Sequence, residues 1–411
     1  MFIKNILSLI YKTKYIYIIS IIIALTGGYY NISFLISFGE IITNNFIKIF
    51  KFVSIPIISL SLIVTLSKFK NDKYLKDIWK QTMYYTISTT LIASTVACLL
   101  YIIINPGNIN SNSSNISSNS YLGKFSYFNY LDGIIPSNIL TPFIEHQVIG
   151  VLIISVLIGI SISFITEDIY RNTVINFFAG IHALFIVMTS WIIKIMPLGL
   201  FGFIITTINQ LNSKGDINSI SKYLLVVVLS NILHGIIILP ILLYFHNIKP
   251  ISSIKGMFPA LSMAFFSKSS SGTLPITINS IENNLNVSPE ISRFVLPLCT
   301  SINMNGCAAF IFSTVIYLLQ NNGVAIDYIT MIIWIIVSSI AAIGNAGVPM
   351  GCFFLSASLL TSMNVSIELL GLILPFYGII DMIETSLNVW SDACITQIID
   401  KKYHKIKNIT S

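Results

Sequence analysis

Residues 369–399 read LLGLILPFYGIIDMIETSLNVWSDACITQII, a stretch apolar and long enough to cross a bilayer that still carries Asp381, Glu384, Thr385, Asn388 and Asp392. On a helix advancing about 100° per residue, Asp381, Thr385, Asn388 and Asp392 return to nearly one direction, and Glu384 borders that face. An ionisable group at membrane depth costs at least about 2.5 kcal/mol on insertion scales. Such groups therefore face protein or a water cavity and mark ion or substrate pathways, so the rest of the chain is expected to build that cavity.

The 411 residues are 55% hydrophobic and 9% charged, with a mean hydropathy of +0.83. That composition excludes an ordinary soluble domain and indicates a polytopic, all-α membrane protein in contact with lipid. No A-x-A-like site follows the first apolar run, so Tyr15 to Leu25 reads as part of a retained helix. The five cysteines, Cys98, Cys299, Cys307, Cys352 and Cys394, have unrelated spacings and suggest neither a zinc site nor a disulfide framework. The net charge of +7 lies in short loops beside the apolar runs, which is a topology signal and not a nucleic-acid patch.

Six apolar runs, near 14–37, 45–67, 82–104, 147–165, 173–209 and 221–245, are expected to form six helices. Lys4, Lys12 and Lys14 precede the first; Lys68, Lys70, Lys73, Lys76 and Lys80 separate the second from the third; Lys249 and Lys255 follow the sixth. With Lys401, Lys402, Lys405 and Lys407 they place these regions, and both termini, in the cytoplasm. The 105–146 connection then falls outside. Its Asn/Ser tract from Asn108 to Ser120 is expected to be a flexible loop, and the sequons at Asn112 and Asn115 are a product of composition.

Beyond residue 246 the apolar runs are interrupted. The 251–288 run breaks at SKSSSGT (267–273), and the 327–362 run breaks at GNAGVPMG (344–351). Non-helical backbone survives at membrane depth only where protein or a water-filled cavity satisfies it, and paired interrupted segments point to a transporter's binding site. Two re-entrant hairpins from opposite sides are expected. Between them a helix from Glu290 to Leu319 contains Thr300, Ser301, Asn303, Met304, Asn305 and Gly306, and is expected to unwind at 303–306. The freed carbonyls and amide oxygens there are hard ligands suited to a small cation such as sodium.

In order, SKSSSGTLP (267–275), PLCTSINMNG (297–306), GNAGVPMG (344–351) and DMIETSLNVWSD (381–392) resemble the signature elements of the dicarboxylate/amino acid:cation symporter family. Weaker similarity reaches Tyr84 and Tyr85, NPG at 105–107, IIPSN at 134–138 and MPLGLFGFI at 196–204. The resemblance implies eight transmembrane helices plus two re-entrant hairpins in inverted repeats, a homotrimer, and an elevator-type transport domain. It divides the chain into 1–245, holding scaffold helices 1, 2, 4 and 5 with helices 3 and 6 of the transport domain; a transport core at 246–400; and a basic tail at 401–411. By motif, Ser269, Ser270 and Ser271 would hold the substrate carboxylate, and Val348 and Gly351 would close over it. Asp381 would bind the α-ammonium group and Asn388 the α-carboxylate, with Glu384 and Thr385 also lining the pocket. For sodium, the coupling ion, the resemblance implies Asn303, Asn388 and Asp392 at one site. Ser301, Cys299 and second-hairpin carbonyls would form another, and Tyr85, Ser88 and Thr89 with Asn303 a third.

Three departures shape the expected substrate. Glu384 stands where carriers of acidic amino acids have an arginine, and a carboxylate there repels a second substrate carboxylate. The pattern is instead similar to bacterial sodium/serine-threonine symporters, which implies a small neutral amino acid as substrate and a location in the bacterial cytoplasmic membrane. Asn305 replaces an aspartate of the usual NMDGT, which bears on the third ion site. Cys352 replaces a common glycine and narrows the pocket. A carrier of acidic amino acids or dicarboxylates, sodium- or proton-coupled, in which Lys268 supplies the cation, is the alternative; otherwise Lys268 reads as an ion-pair partner of Asp381 or Glu384. A cationic-amino-acid carrier with Glu384 as counter-ion ranks behind it. GxSxG and HExxH are absent and no base is placed beside a single serine, so an enzyme is not expected. A passive channel would need no pair of gating hairpins. His182 and His234 read as hydrogen-bonded packing residues, and Trp191, Trp334 and Trp390 as packing or interface anchors.

Overall fold

Long runs of Ile, Leu, Val and Phe without a turn signal propagate as helix, and helices satisfy every backbone polar group where lipid offers no partner. A computed structural model of the protein describes residues 19–67, 73–107, 138–144, 148–214, 217–345, 350–363, 365–366 and 369–410. The tract from Asn108 to Ser120 with its sequons, Lys4, Lys12, Lys14, Lys68, Lys70 and Val348 lie outside them. Among the described residues there are helices and no strands.

The first half forms α1 (Ile19–Tyr29), α2 (Ser33–Ser67), α3 (Lys73–Ile104), α4 (Val148–Ser163), α5 (Asp168–Lys214) and α6, which runs from Ile217 through a π-helical turn at His234–Ile238 to Phe245. The boundary between the first two helices differs from the sequence expectation. It falls not at 38–44 but at Asn31, whose φ of 51° is left-handed, a conformation asparagine tolerates where a helix ends. α2 packs along α5 and α4. The α2–α5 crossing is tight because a Cβ on Gly202 would lie 2.9 Å from the carbonyl oxygen of Gly39.

The second half forms α7 (Pro250–Ser267), α8 (Ser270–Leu285), α9 (Pro289–Ile302), α10 (Asn305–Asn321), α11 (Tyr328–Ile343), α12 (Gly351–Ser362) and α13 (Leu370–Thr410). The expected breaks near 267–273 and 303–306 are present and narrower than the sequence suggested, whereas 346–349 of the third lie outside the described residues. Lys268, at φ 55°, and Ser269, in extended conformation, separate α7 from α8, which packs beside it. Asn303 and Met304 alone interrupt α9–α10. Met350, at φ 63°, precedes α12. The last helix continues past the expected end at 399 through the basic segment to Thr410.

Four described helices are long and apolar enough to cross a membrane by length and composition: Asp77–Ile104, Asp168–Met188, Asn218–Phe245 and Pro289–Asn321. The last of these is the centre of the molecule, since its whole apolar window is buried inside the protein. α10 packs on α3, α6, α11, α12 and α13, so every face of it meets another helix. Leu99, Ile103, Phe177, Ile236 and Ile332, by contrast, present apolar side chains outward, as a lipid-facing surface requires. Of the three tryptophans singled out, Trp334 and Trp390 are buried and Trp191 is exposed.

Candidate substrate and cation site

The break in α9–α10 is held against the middle of α13. Asp381, Glu384 and Asp392 are 4%, 1% and 1% exposed, so the polar stripe of α13 faces protein throughout. Gly306 makes the close approach possible: a Cβ there would lie 2.8 Å from both Glu384 Cα and Asn231 Oδ1. At this contact the Gly306 N–H donates to Asn388 Oδ1 over 2.9 Å, so Asn388 satisfies one of the free amides at the start of α10.

On the other side of the break, Asn303 Nδ2 donates to Asp392 Oδ1 over 2.8 Å, and Thr89 Oγ1 donates to Asn303 Oδ1 over 3.2 Å. Three helices thus contribute oxygen-bearing side chains around one unwound dipeptide. Thr89, Asn303, Asn388 and Asp392 are brought together; the rest of the expected cation set is more dispersed. The Ser301 hydroxyl donates back to Pro297 O at 3.3 Å, and Cys299 is buried with its carbonyl accepting from the Asn303 N–H at 2.8 Å. Ser88, next to Thr89 in the chain and so about 100° round the helix from it, is half-buried. The Tyr85 hydroxyl points elsewhere, to His246 Nε2 at 2.9 Å and to the Lys402 ammonium at 2.5 Å.

Asn305 has its own partners. Its oxygen accepts from Thr90 Oγ1 at 2.9 Å, and its Nδ2 lies 2.7 Å from Ser391 Oγ and 3.2 Å from His234 Nε2. His234 is therefore a hydrogen-bonded packing residue, but at the edge of the site and on the π-helical turn of α6, and not in an indifferent part of the bundle. Its position was not legible in a lone histidine; only the unusual Asn305 hinted that something replaces a carboxylate's environment there.

The expected substrate residues surround the same region. Ser269 caps α8 by accepting from the Gly272 N–H at 3.0 Å; Ser270 is buried and Ser271 exposed. The start of α8 presents amide N–H groups and hydroxyls, a suitable cradle for a carboxylate. Asp381 Oδ2 accepts from the Met350 N–H at 3.2 Å, tying the last helix to the start of α12, where Gly351 lies against the Asn345 side chain. Thr385 donates to the Asp381 carbonyl oxygen at 2.7 Å. Lys268 interacts electrostatically with Asp381, and its Nζ lies 3.5 Å from where a Gly378 Cβ would be. Yet among the described residues no ion pair within 4 Å joins it to Asp381 or Glu384, so the expected direct pairing is replaced by a longer-range attraction.

Glu384 Oε2 accepts from the Tyr377 hydroxyl at 3.3 Å, while its Oε1 has no hydrogen-bond partner among the described residues. Asn231 Oδ1 and Asn345 Oδ1 are likewise buried without partners. Unpaired acceptors cost about 1–3 kcal/mol each when desolvated, so their convergence around residues 306–307 fits a place built for a polar or cationic guest. One sequence expectation is overturned here. Cys307 and Cys352 were not expected to pair, but their Cα atoms lie 5.3 Å apart and their sulfurs are bonded, linking the start of α10 to the start of α12.

Apolar helices arranged around a buried, interrupted helix with carboxylates at its break define a multi-pass membrane transporter. The chain matches the sodium:dicarboxylate symporter family over residues 14–402 and belongs to it, a family of transporters and not of enzymes. It is 30% identical over 263 residues to an excitatory amino acid transporter of Caenorhabditis elegans, covering 64% of this chain and 51% of that protein. It is 28% identical over 249 residues to the neutral amino acid transporter B(0) of Mus musculus, covering 60% and 45%. Against the same transporter of Oryctolagus cuniculus the match extends over 383 residues at 24% identity, covering 84% and 70%. Most of these alignments thus span about half the length of the relatives.

Proposed function

We propose that the protein is a sodium-coupled symporter of small neutral amino acids, serine and threonine foremost, that imports them by an elevator movement of residues 246–400 with α3 and α6. The observation that carries the substrate class is Glu384: a buried carboxylate one turn from Asp381, with an unpartnered oxygen, repels glutamate, aspartate and dicarboxylates. The relatives include carriers named for neutral as well as excitatory amino acids, so the family accommodates either class.

In this reading Asp381 receives the substrate's ammonium group. The N–H groups and hydroxyls of Ser269, Ser270 and Ser271, with Asn388, receive its carboxylate, and Thr385, Val348 and Gly351 complete the enclosure. Sodium binds at Asn303, Asn388 and Asp392, with further ions at Ser301 and Cys299 and, with Asn303, at Ser88, Thr89 and the backbone carbonyl of Tyr85, whose hydroxyl is turned away. Asn388 is shared by both guests, and the α9–α10 break must close on α13 before either can bind well. Each guest therefore stabilises the arrangement the other needs, which is the physical form of coupling. A homotrimer in the bacterial cytoplasmic membrane, with both termini in the cytoplasm, eight transmembrane helices and two hairpins, completes the proposal; the packing of α2 with α4 and α5, apart from α3 with α6 and α10, supports the division into scaffold and moving parts.

A second reading, transport of acidic amino acids or dicarboxylates coupled to sodium or protons, is favoured by one observation, a Lys268 ammonium at the turn between α7 and α8 whose charge is felt at Asp381 without a direct ion pair. Competition at fixed sodium separates the two. The proposal expects excess serine or threonine to block labelled serine uptake and aspartate to have no effect; block by aspartate and not by serine would select the second reading.

A further inference from the structure

Cys307 and Cys352 occupy the two ends of a contact that the transport reading requires to change. Cys307 is in the first turn after the Asn303–Met304 break, and Cys352 is in the first turn of α12, two residues after Met350 reaches back to Asp381. Both are buried, and the other three cysteines, Cys98, Cys299 and Cys394, are free. A carboxylate oxygen of Glu384 and the two sulfurs all lie within 4.8 Å of one another.

Four features around this trio suit a metal ion. The sulfurs are soft donors, and two thiolates with one carboxylate form the kind of mixed set that binds zinc or cadmium, leaving a fourth position open. Zinc–sulfur bonds of about 2.3 Å and zinc–oxygen bonds of about 2.0 Å place ligand atoms roughly 3.5–4 Å apart, so once the disulfide is reduced the sulfurs need only separate within the 4.8 Å that bounds the trio. Glu384 Oε1 is buried with no partner among the described residues, so a ligand would satisfy an atom that protein does not. Asn345 Nδ2 lies 2.8 Å from Cys307 Sγ and 3.4 Å from Cys352 Sγ, where an amide donor steadies thiolates from outside the ligand set.

We propose that Cys307, Cys352 and Glu384 form a redox-gated site for a thiophilic divalent cation, which pins α12 to α10 beside the substrate pocket. In the oxidised form the disulfide itself is the tether. A dithiol reductant opens it: two electrons and two protons pass to the sulfurs, giving two thiols, and the dithiol leaves as its cyclic disulfide. Metal binding then releases the two thiol protons as two metal–sulfur bonds form, with Glu384 as third ligand. The consequence for transport rests on the carrier reading given above, whereas the existence of the site does not.

The test uses the purified full chain. Thiols are titrated in denaturant before and after treatment with a dithiol: three of the five cysteines are expected to react before and all five after. Cadmium is then added to the reduced, folded protein, with an ultraviolet thiolate-to-cadmium charge-transfer band expected, and chelator-reversible inhibition of serine uptake in proteoliposomes. Cys307→Thr and Cys352→Gly are each expected to diminish the band strongly, and Glu384→Gln to weaken cadmium affinity by about 10-fold or more while both sulfurs remain, since losing a direct ligand costs at least what losing an outer partner does. Five reactive thiols before reduction, or no band with the reduced protein, would overturn the proposal. Three thiols and a band in a protein that takes up no serine would leave the site standing and overturn the transport reading instead.

Discussion

Asn303 Nδ2 donates to Asp392 Oδ1 over 2.8 Å, joining the gap in the most deeply buried helix to the polar face of the last one. If sodium binds here, the charge on Asp392 is what attracts it. Asp392→Asn is predicted to raise the sodium concentration for half-maximal uptake about 10-fold or more, and by linkage to weaken serine affinity in the same direction. Uptake measured across a sodium series at several serine concentrations checks both; an unchanged sodium dependence would remove Asp392 from the ion site.

Glu384→Gln removes the buried negative charge and keeps the shape. The discrimination against aspartate is expected to fall by about 10-fold or more, read as the ratio of aspartate to serine concentrations that halve labelled serine uptake. No change in that ratio would show that Glu384 does not set the charge preference.

Gly306→Ala places a methyl group 2.8 Å from Glu384 Cα and from Asn231 Oδ1, where backbone cannot yield cheaply. A loss of about 1–3 kcal/mol is expected, seen as a lower Tm in detergent. Gly180→Ala, which meets nothing within 4 Å in an exposed part of α5, is the control and is expected to hold or raise Tm, since alanine favours helix over glycine by about 1 kcal/mol.

Asn305→Asp exchanges an amide donor for an acceptor opposite Ser391 and His234. Without sodium the variant is expected to be less stable by about 1–3 kcal/mol, because the Ser391 hydrogen bond must be rebuilt around a buried charge. Added sodium is expected to raise the variant's Tm more than that of the unaltered protein; an equal shift in both would place sodium away from this carboxylate.

Much of the architecture was legible because it rests on local chemistry. Lys268–Ser269 breaks α7–α8 where serines and glycine cluster, and Asn303–Met304 breaks α9–α10 where two asparagines precede Gly306. The stripe from Asp381 to Asp392 was readable from helical periodicity, and its burial follows from the cost of exposing it to lipid. What was not legible depends on distant partners. The turn at Asn31 lies inside an apolar run and rests on one residue in left-handed conformation. The Cys307–Cys352 bond spans 45 residues and carries no spacing rule. The link from Asn305 to His234 joins two segments that only folding brings together.

The most direct test of the account is the uptake of radiolabelled serine into proteoliposomes with and without an inward sodium gradient. Accumulation above equilibrium only when the gradient is present, abolished when sodium is replaced by potassium, is the predicted result. Equal uptake under both conditions would contradict sodium-coupled symport through this site.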